Sequence, residues 1–500
     1  MIQMEPLIPR TDLARCALCG NPPCDDACET VHPADLLRSV WFRNEQTAAL
    51  RLPETNPCLT CRKTACELSC LRGGEVPIRE IINRLYYQVK PECETAMPET
   101  EERLRTEICG IPLENPFLLS SSVVASTYDM CARAFEAGWA GVCFKTVCTL
   151  DIHEASPRFS ALSGGDGSII GFKNIEQLSD HSVRENMAIF RRLKENYPSK
   201  FIMASIMGKN EEEWGKLAHW CEEAGADALE LNFSCPNMAE DGLGSDIGQV
   251  PELVERFTAA AKRACRIPVL AKLTPNVENM GPAAEAALRG GADGIAAINT
   301  IKSVVGVNLH TYVSSLAIRG QSAVGGYSGN AVKPIALRFI AELGKNPKLK
   351  GLHLSAMGGV ETWMDALEFI LLGGSTVQVT TAVMQYGYRI IDDLKAGLNL
   401  YLAEKGFAGV KEAVGLGLPT LNENTDALER NTVVFPTFHP DRCVGCGRCA
   451  LSCSDGGHQA IRMDENRRPV LNGKNCVGCH LCVLVCPQKA VTPGVKRISR

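Results

Sequence analysis

Between residues 108 and 405 the chain alternates short, almost wholly apolar runs with longer stretches whose apolar residues recur at helical spacing. The short runs are FLLSSS (117–122), WAGVCF (139–144), FIMASI (201–206), DALELNF (227–233), PVLAKLT (268–274), DGIAAIN (293–299), LHLSAM (352–357) and TVQVTT (376–381). Between them lie helix-period stretches at 129–138, 184–196, 211–224, 252–264, 280–290, 334–344 and 361–372. Strict alternation of strand and helix implies a parallel sheet with right-handed crossovers. Eight such units in about 300 residues fit a closed (β/α)8 TIM barrel better than an open sheet. Small-residue turns (EAGWAG, EAGADA, RGGADG, LLGGST) precede several strands and permit a tight helix-to-strand return.

Polar residues collect where these runs end. Lys145 and Thr146 follow the second run, and Asn232, Ser234 and Cys235 the fourth. Lys272 lies within the fifth, with Thr274 and Asn276 beyond, and Asn299-Thr300 close the sixth. Gly358-Gly359 follow the seventh and Thr380-Thr381 end the eighth. In a barrel these positions form one rim, the face on which active sites are built. Glycine-exposed N–H groups after strands seven and eight suit a phosphate, and Gly326-Tyr327-Ser328-Gly329 adds further donors. A lysine beneath a flavin ring stabilises its anionic reduced form, and Lys145 and Lys272 are the candidates. FMN is therefore the expected cofactor. No G-x-G-x-x-G follows a strand and opens a helix; GLGSDIG at 242–248 lies in a loop, so no nicotinamide domain is expected.

The two ends of the chain have a different character, dominated by cysteine. Cys443, Cys446, Cys449 and Cys453, then Cys476, Cys479, Cys482 and Cys486, both read C-x2-C-x2-C-x3-C, the spacing of a two-cluster [4Fe–4S] ferredoxin. Cys16, Cys19, Cys24 and Cys28 read C-x2-C-x4-C-x3-C, and Cys58, Cys61, Cys66 and Cys70 repeat it. Two further [4Fe–4S] clusters are expected there, with zinc as the competing ligand. Most of the eight scattered cysteines read as small buried hydrophobes; Cys235, at the rim, does not. The expected organisation is a helical iron–sulfur domain (1–92), a charged connector (93–107), an FMN barrel (108–405), an irregular linker (406–437) and a ferredoxin-like α+β domain (438–500).

Composition narrows the class of partner. A net charge of −5 gives no basic footprint for nucleic acid or anionic membrane. The apolar runs fall short of the ~18–20 residues of a membrane span. The opening MIQMEPLIPR carries no apolar signal segment, and this many free thiols need a reducing compartment, so the cytoplasm is expected.

NFSCP at 232–236, AKLTPN at 271–276, AAINT at 296–300, GYSGNAVKPIALR at 326–338 and CVGCGRC at 443–449 resemble the dihydropyrimidine dehydrogenase family. The likeness is to the iron–sulfur and FMN subunit of its bacterial NAD-dependent members, and runs in order from about residue 108 to 500. It implies interconversion of uracil or thymine with the 5,6-dihydro forms. Hydride would pass between flavin N5 and pyrimidine C6, with Cys235 on a mobile loop exchanging the C5 proton. The implied substrate readers are Asn174, Asn232, Ser234, Asn299 and Thr300; the flavin residues are Ser121, Lys145, Lys272, Ser328, Gly329, Gly358, Gly359, Thr380 and Thr381. A thiol is itself suited to the proton step, since its ordinary pKa near ~8.5 lets it act as acid or base.

Residues 1–92 resemble instead the helical iron–sulfur domain of fused dihydropyrimidine dehydrogenases and of the glutamate synthase small subunit. That likeness implies one cluster on Cys16, Cys19, Cys24 and Cys70 and a second on Cys28, Cys61 and Cys66. The family's polar fourth ligand would fall near Asn83–Arg84, neither Gln nor Glu, which leaves Cys58 as the available thiol. The fused enzyme's FAD and NAD(P)H domains are missing between the clusters. A separate flavoprotein subunit or a ferredoxin-type partner is therefore expected, in a homodimer or heterotetramer. Two other readings stay open: a barrel acting on dihydroorotate or another cyclic amide, and an electron-transfer module of a larger complex.

Overall fold

The computed structural model describes residues 8, 10–164, 168–238, 242–422 and 424–499. Among them eight parallel strands close into a barrel in sequential order. These are β1 Phe117–Leu119, β2 Gly141–Val147, β3 Phe201–Ile206, β4 Ala228–Asn232, β5 Val269–Lys272, β6 Gly294–Ala297, β7 His353–Met357 and β8 Thr376–Val379. Each apolar run contributes one strand, and β8 closes on β1 with Val377 opposite Phe117. Apart from His353, every strand residue is buried, as strands covered on both faces require.

The outer ring comprises α1 Tyr128–Ala137, α2 Val183–Asn196, α3 Glu211–Glu223, α4 Pro251–Ala264, α5 Gly281–Arg289, α6 Lys333–Lys345, α7 Trp363–Leu371 and α8 Ile390–Glu404. Capping boxes start α2 (Ser182 with Glu185) and α7 (Thr362 with Asp365). Phe190 and Leu193 on the inner face of α2 are fully buried, each adding about 1.5–3 kcal/mol. The small-residue turns serve geometry. Gly138, Gly225, Gly291 and Gly373 take positive φ, and a Cβ on Gly141 would lie 2.5 Å from the Phe201 carbonyl oxygen.

A hairpin of Thr106–Ile108 and Ile111–Leu113 plugs the lower mouth, where Ile108 and Leu113 pack with Leu118, Met203 and Leu270. The upper mouth carries a four-stranded antiparallel sheet, Ile301–Ser303, Gly325–Ser328, Ile169–Asn174 and Phe159–Ser163 in that spatial order. Neither feature, nor α8, was among the elements expected from periodicity.

Residues 1–92 form short helices, chiefly Pro33–Trp41, Glu45–Leu50 and Ile78–Arg84, around Leu36, Leu37, Val40, Ile81 and Ile82. This domain seats on α8 and α7. Asp393 accepts from Arg38 Nε (2.8 Å) and Ser39 Oγ (2.6 Å), and Trp363 Nε1 donates to the Arg43 carbonyl (2.9 Å).

The chain divides into two compact units, Met1–Leu418 and Pro419–Arg500. The second corrects the expected linker of 406–437. Its strand Thr432–Phe438 begins inside that stretch and pairs antiparallel with Val491–Ser499. The alternation of VVF and TF there is too short to announce a strand without its distant partner. Among the described residues no helix is long and apolar enough to cross a membrane.

Candidate active site

The upper mouth of the barrel opens into a cavity lined by residues from the strand ends and from the antiparallel sheet. Every residue assigned to substrate or flavin from the sequence lines it except Ser234, which lies one hydrogen bond behind.

A belt of hydrogen bonds ties neighbouring strand ends together. Ser205 and Thr146 hydroxyls meet at 2.9 Å, and Asn232 Nδ2 donates to Thr146 Oγ1 (2.9 Å). Ser234 Oγ donates to Asn232 Oδ1 (2.8 Å), and Asn299 Nδ2 to Ser234 Oγ (2.9 Å). The Asn299 carboxamide oxygen in turn accepts the Thr300 N–H (2.8 Å). Opposite this belt, Asn174 donates to the Gly326 carbonyl (3.2 Å) and accepts from Asn237 Nδ2 (3.0 Å). The amides are thus held in fixed orientations, as reading of a ligand edge requires.

Cys235 borders the cavity and is itself buried. Burial pushes its thiol up to about 11; the Asn237 N–H lowers it and the Glu154 carboxylate raises it further. A thiol expected to serve equally as acid or base is therefore held as the acid. Gly244 packs directly behind it, where a Cβ would meet the Cys235 side chain at 3.1 Å. Residues 239–241 of its loop lie outside the described residues.

Both candidate lysines are buried and paired. Lys272 Nζ sits 3.2 Å from Glu230, which has no exposure at all. Lys145 Nζ lies 2.7 Å from Glu176 and 3.5 Å from Glu154, and Arg158 adds a second contact to Glu176 at 2.8 Å. Sequence reasoning missed Glu176, Asn237 and Gln378, which all line the cavity; Tyr327, read from the GYSG segment as a donor, lines it as well. Glu176 and Asn237 stand beyond strand ends in loops without a periodic signal. Gln378 sits inside the apolar run TVQVTT, where a single polar residue facing inward was the available clue.

On the far side the backbone approaches closely. Gly359 has φ +83°, and a Cβ there would lie 2.8 Å from the Gly329 carbonyl oxygen and 3.0 Å from the Lys333 nitrogen. Thr381 Oγ1 donates to Ser328 Oγ (2.9 Å), and the Ser122 and Thr380 hydroxyls lie 3.1 Å apart. This corner offers N–H and hydroxyl donors, the chemistry of a phosphate cradle. Gln378 Oε1, Asn237 Oδ1 and Tyr327 Oη are buried without a protein partner, leaving polar atoms for a bound polar heterocycle. The residues present fit FMN.

The cysteine quartets gather as two pairs. In the C-terminal unit one cavity is lined by Cys443, Cys446, Cys449 and Cys486, another by Cys453, Cys476, Cys479 and Cys482. Each run thus sends its fourth thiol to the other group. The Ala460 N–H points to Cys453 Sγ (3.3 Å) and the Ala490 N–H to Cys486 Sγ (3.2 Å). In the N-terminal domain Cys16, Cys19, Cys24 and Cys70 line one cavity. Cys58 lies within electrostatic reach of Cys66, Cys61 and Cys28. Asn83 is engaged by Asn56 (2.8 Å), and Arg84 is paired with Asp12 and Glu80. Among the described residues no three of these groups converge closely enough for one metal ion.

A closed parallel barrel with an anion cradle and an amide-lined mouth, coupled to cysteine quartets, defines a flavin-dependent barrel oxidoreductase. The sequence profile of the dihydroorotate dehydrogenase family matches residues 103–402, and that of a 4Fe-4S dicluster domain matches 437–492. The chain is 52% identical over 365 residues to the NAD-dependent dihydropyrimidine dehydrogenase subunit PreA of Escherichia coli K12, covering 73% of this chain and 89% of that one. It is 38% identical to the chloroplastic dihydropyrimidine dehydrogenase (NADP(+)) of Arabidopsis thaliana, over 66% and 81% of the two chains. It is 36% identical to the catalytic subunit of dihydroorotate dehydrogenase B (NAD(+)) of Pyrococcus furiosus, over 63% and 98%. The chain belongs to the dihydroorotate dehydrogenase family, in its dihydropyrimidine dehydrogenase branch.

Proposed function

We propose that this chain is the catalytic subunit of a dihydropyrimidine dehydrogenase, interconverting uracil or thymine with the 5,6-dihydro forms. The carrying observation is the buried Cys235 thiol facing the same cavity as Asn232 and Asn299, whose amides are fixed by the belt, and Asn174, fixed by Gly326 and Asn237. Ring carbonyls and N–H groups of a pyrimidine match those amides donor for acceptor. Thr300 borders the same edge, and Ser234 fixes it from behind.

FMN, held by Gly358, Gly359, Ser328, Gly329, Thr380 and Thr381 with Ser121, Lys145 and Lys272 near its ring, would supply hydride exchange at C6 and division into single electrons. The chain's own part is the proton. In reduction the Cys235 Sγ–H delivers it to C5; in oxidation the thiolate removes it. The belt orients the ring so that C5 faces the thiol, and the apolar wall of Ile298, Val332 and Met357 excludes water. Four [4Fe–4S] clusters on the sixteen quartet cysteines would carry the electrons, the second N-terminal one with Cys58 as its fourth ligand. Their far donor or acceptor is read as a separate NAD(P)H-oxidising flavoprotein subunit or a ferredoxin-type protein, in a reducing compartment, around a homodimer or heterotetramer. The names of the Escherichia coli and Pyrococcus furiosus relatives as subunits support that reading.

The second reading, a dihydroorotate dehydrogenase, is favoured by the family profile. A substrate carboxylate needs an uncompensated cation, yet Lys145, Arg158 and Lys272 are each paired with Glu. Anaerobic mixing of the FMN-loaded chain with dihydrouracil, without nicotinamide, separates the two. Prompt bleaching of flavin and cluster absorbance is expected. Bleaching by dihydroorotate and not by dihydrouracil would overturn the assignment.

A further inference from the structure

Each of three cysteine loops carries an arginine on its backbone carbonyls. Arg79 Nη2 donates to the Cys61 carbonyl (2.9 Å) and reaches that of Cys58 (3.4 Å). Arg467 Nε donates to Gly445 (3.0 Å), and Arg468 to Pro440 (3.1 Å) and Cys443. At the third loop Arg389 Nη1 donates to Cys19 (2.8 Å) and Nη2 to Leu18. Arg79, Arg467 and Arg468 belong to the domains whose cysteines they hold. Arg389 does not: it belongs to the barrel, on the residue that opens α8.

Two further facts bear on Arg389. It lines the cavity of Cys16, Cys19, Cys24 and Cys70 together with Asp25, Asp35, Arg38 and Arg72. Arg38 is neutralised by Asp393 (2.8 Å) and Asp35 (2.9 Å). Arg72 lies 3.8 Å from Glu75, and Asp25 adds a carboxylate, so the cation that the barrel brings to these four thiols is Arg389. Its Nε also reaches the Tyr386 carbonyl (3.4 Å), the end of the short helix Thr381–Tyr386 that starts in the phosphate cradle. Tyr386 packs edge-on against Phe42 and Trp41 of the N-terminal domain. One segment thus runs from the flavin site to the cysteine loop.

We propose that Arg389 sets the reduction potential of the iron–sulfur centre on Cys16, Cys19, Cys24 and Cys70, raising it above what its own domain would give. A guanidinium cannot lose its proton here, so its charge is permanent. One-electron reduction adds a negative charge to the centre, and a fixed cation beside it favours that reduced form, most strongly where water is excluded. The barrel thereby raises this centre's potential only when the domain is docked. The inference rests on the cluster reading of the quartets given above.

The test is an anaerobic redox titration of the full holoenzyme followed by electron paramagnetic resonance, for wild type, Arg389→Lys and Arg389→Gln. Both replacements can donate to the Leu18 and Cys19 carbonyls, and they differ in charge. Arg389→Gln should lower one midpoint by about 59 mV, a tenfold change in the oxidised-to-reduced ratio at fixed potential, with iron content unchanged. Arg389→Lys should stay near wild type. Equal midpoints for Lys and Gln would overturn the proposal, and so would loss of the cluster in both, which would make the arginine a structural clamp. A wild-type chain with iron in its C-terminal unit alone would sink the cluster reading first.

Discussion

The Cys235 thiol shows what one residue's surroundings add to its type. Cys235 is expected from its place after β4, and a free thiol would exchange protons in both directions near neutrality. Burial pushes it up to about 11 and fixes the direction of easy transfer. Pyrimidine reduction needs the thiol and should be flat in rate through neutral pH, falling only as pH approaches about 11. Dihydropyrimidine oxidation needs the thiolate and should rise about tenfold per pH unit across the same range. Rate–pH profiles in both directions check this; an oxidation rate that is level from pH 7 to 9 would contradict it. Because the folded pKa is raised, the stability gained from the buried neutral thiol is present below the ordinary thiol value and lost as pH rises through about 11. Cys235→Ala should lower turnover by about 10²–10⁴-fold while dithionite still reduces flavin and clusters.

At the scale of elements, what could be read from the sequence was whatever repeats locally. Eight apolar runs are eight strands because a strand buried on both faces must be apolar throughout, whatever its neighbours. The antiparallel sheet over the mouth has no such signature. Phe159–Ser163 and Ile169–Asn174 are half exposed, and their partner Gly325–Ser328 is far along the chain. Yet that sheet brings Asn174, Tyr327 and Ser328 to the cavity. The strand-end rule found the residues on the barrel, and Asn174 came from resemblance alone. Crossing of the quartets is likewise a property of the folded loops; the spacing anticipates it at the C-terminal end, and analogy alone at the N-terminal end. The cradle follows the same logic: its glycines were legible, their close approach was not. Gly359→Ala forces a side chain into left-handed backbone at about 1–2 kcal/mol and against the Gly329 carbonyl. It should weaken FMN binding about tenfold, measured by flavin fluorescence on titration into the apoprotein.

For the whole molecule, the question is whether the N-terminal domain and the barrel form one electron path. The joint is ionic and buried: Asp393 on α8 serves Arg38 and Ser39 of the N-terminal domain with almost no exposure. Asp393→Ala would leave Arg38 without its main partner and should cost about 3–5 kcal/mol, seen as early melting of the N-terminal domain. If that domain holds two clusters, the chain's electron capacity follows. Two C-terminal clusters and a two-electron flavin accept about four electrons, and two N-terminal clusters raise the total to about six. Anaerobic dithionite titration of the FMN-loaded chain counts them directly. A value near six would mean that the short helices of residues 1–92 exist to carry charge to the barrel. A value near four, with zinc recovered from the protein, would make them a docking module whose thiols only hold it together.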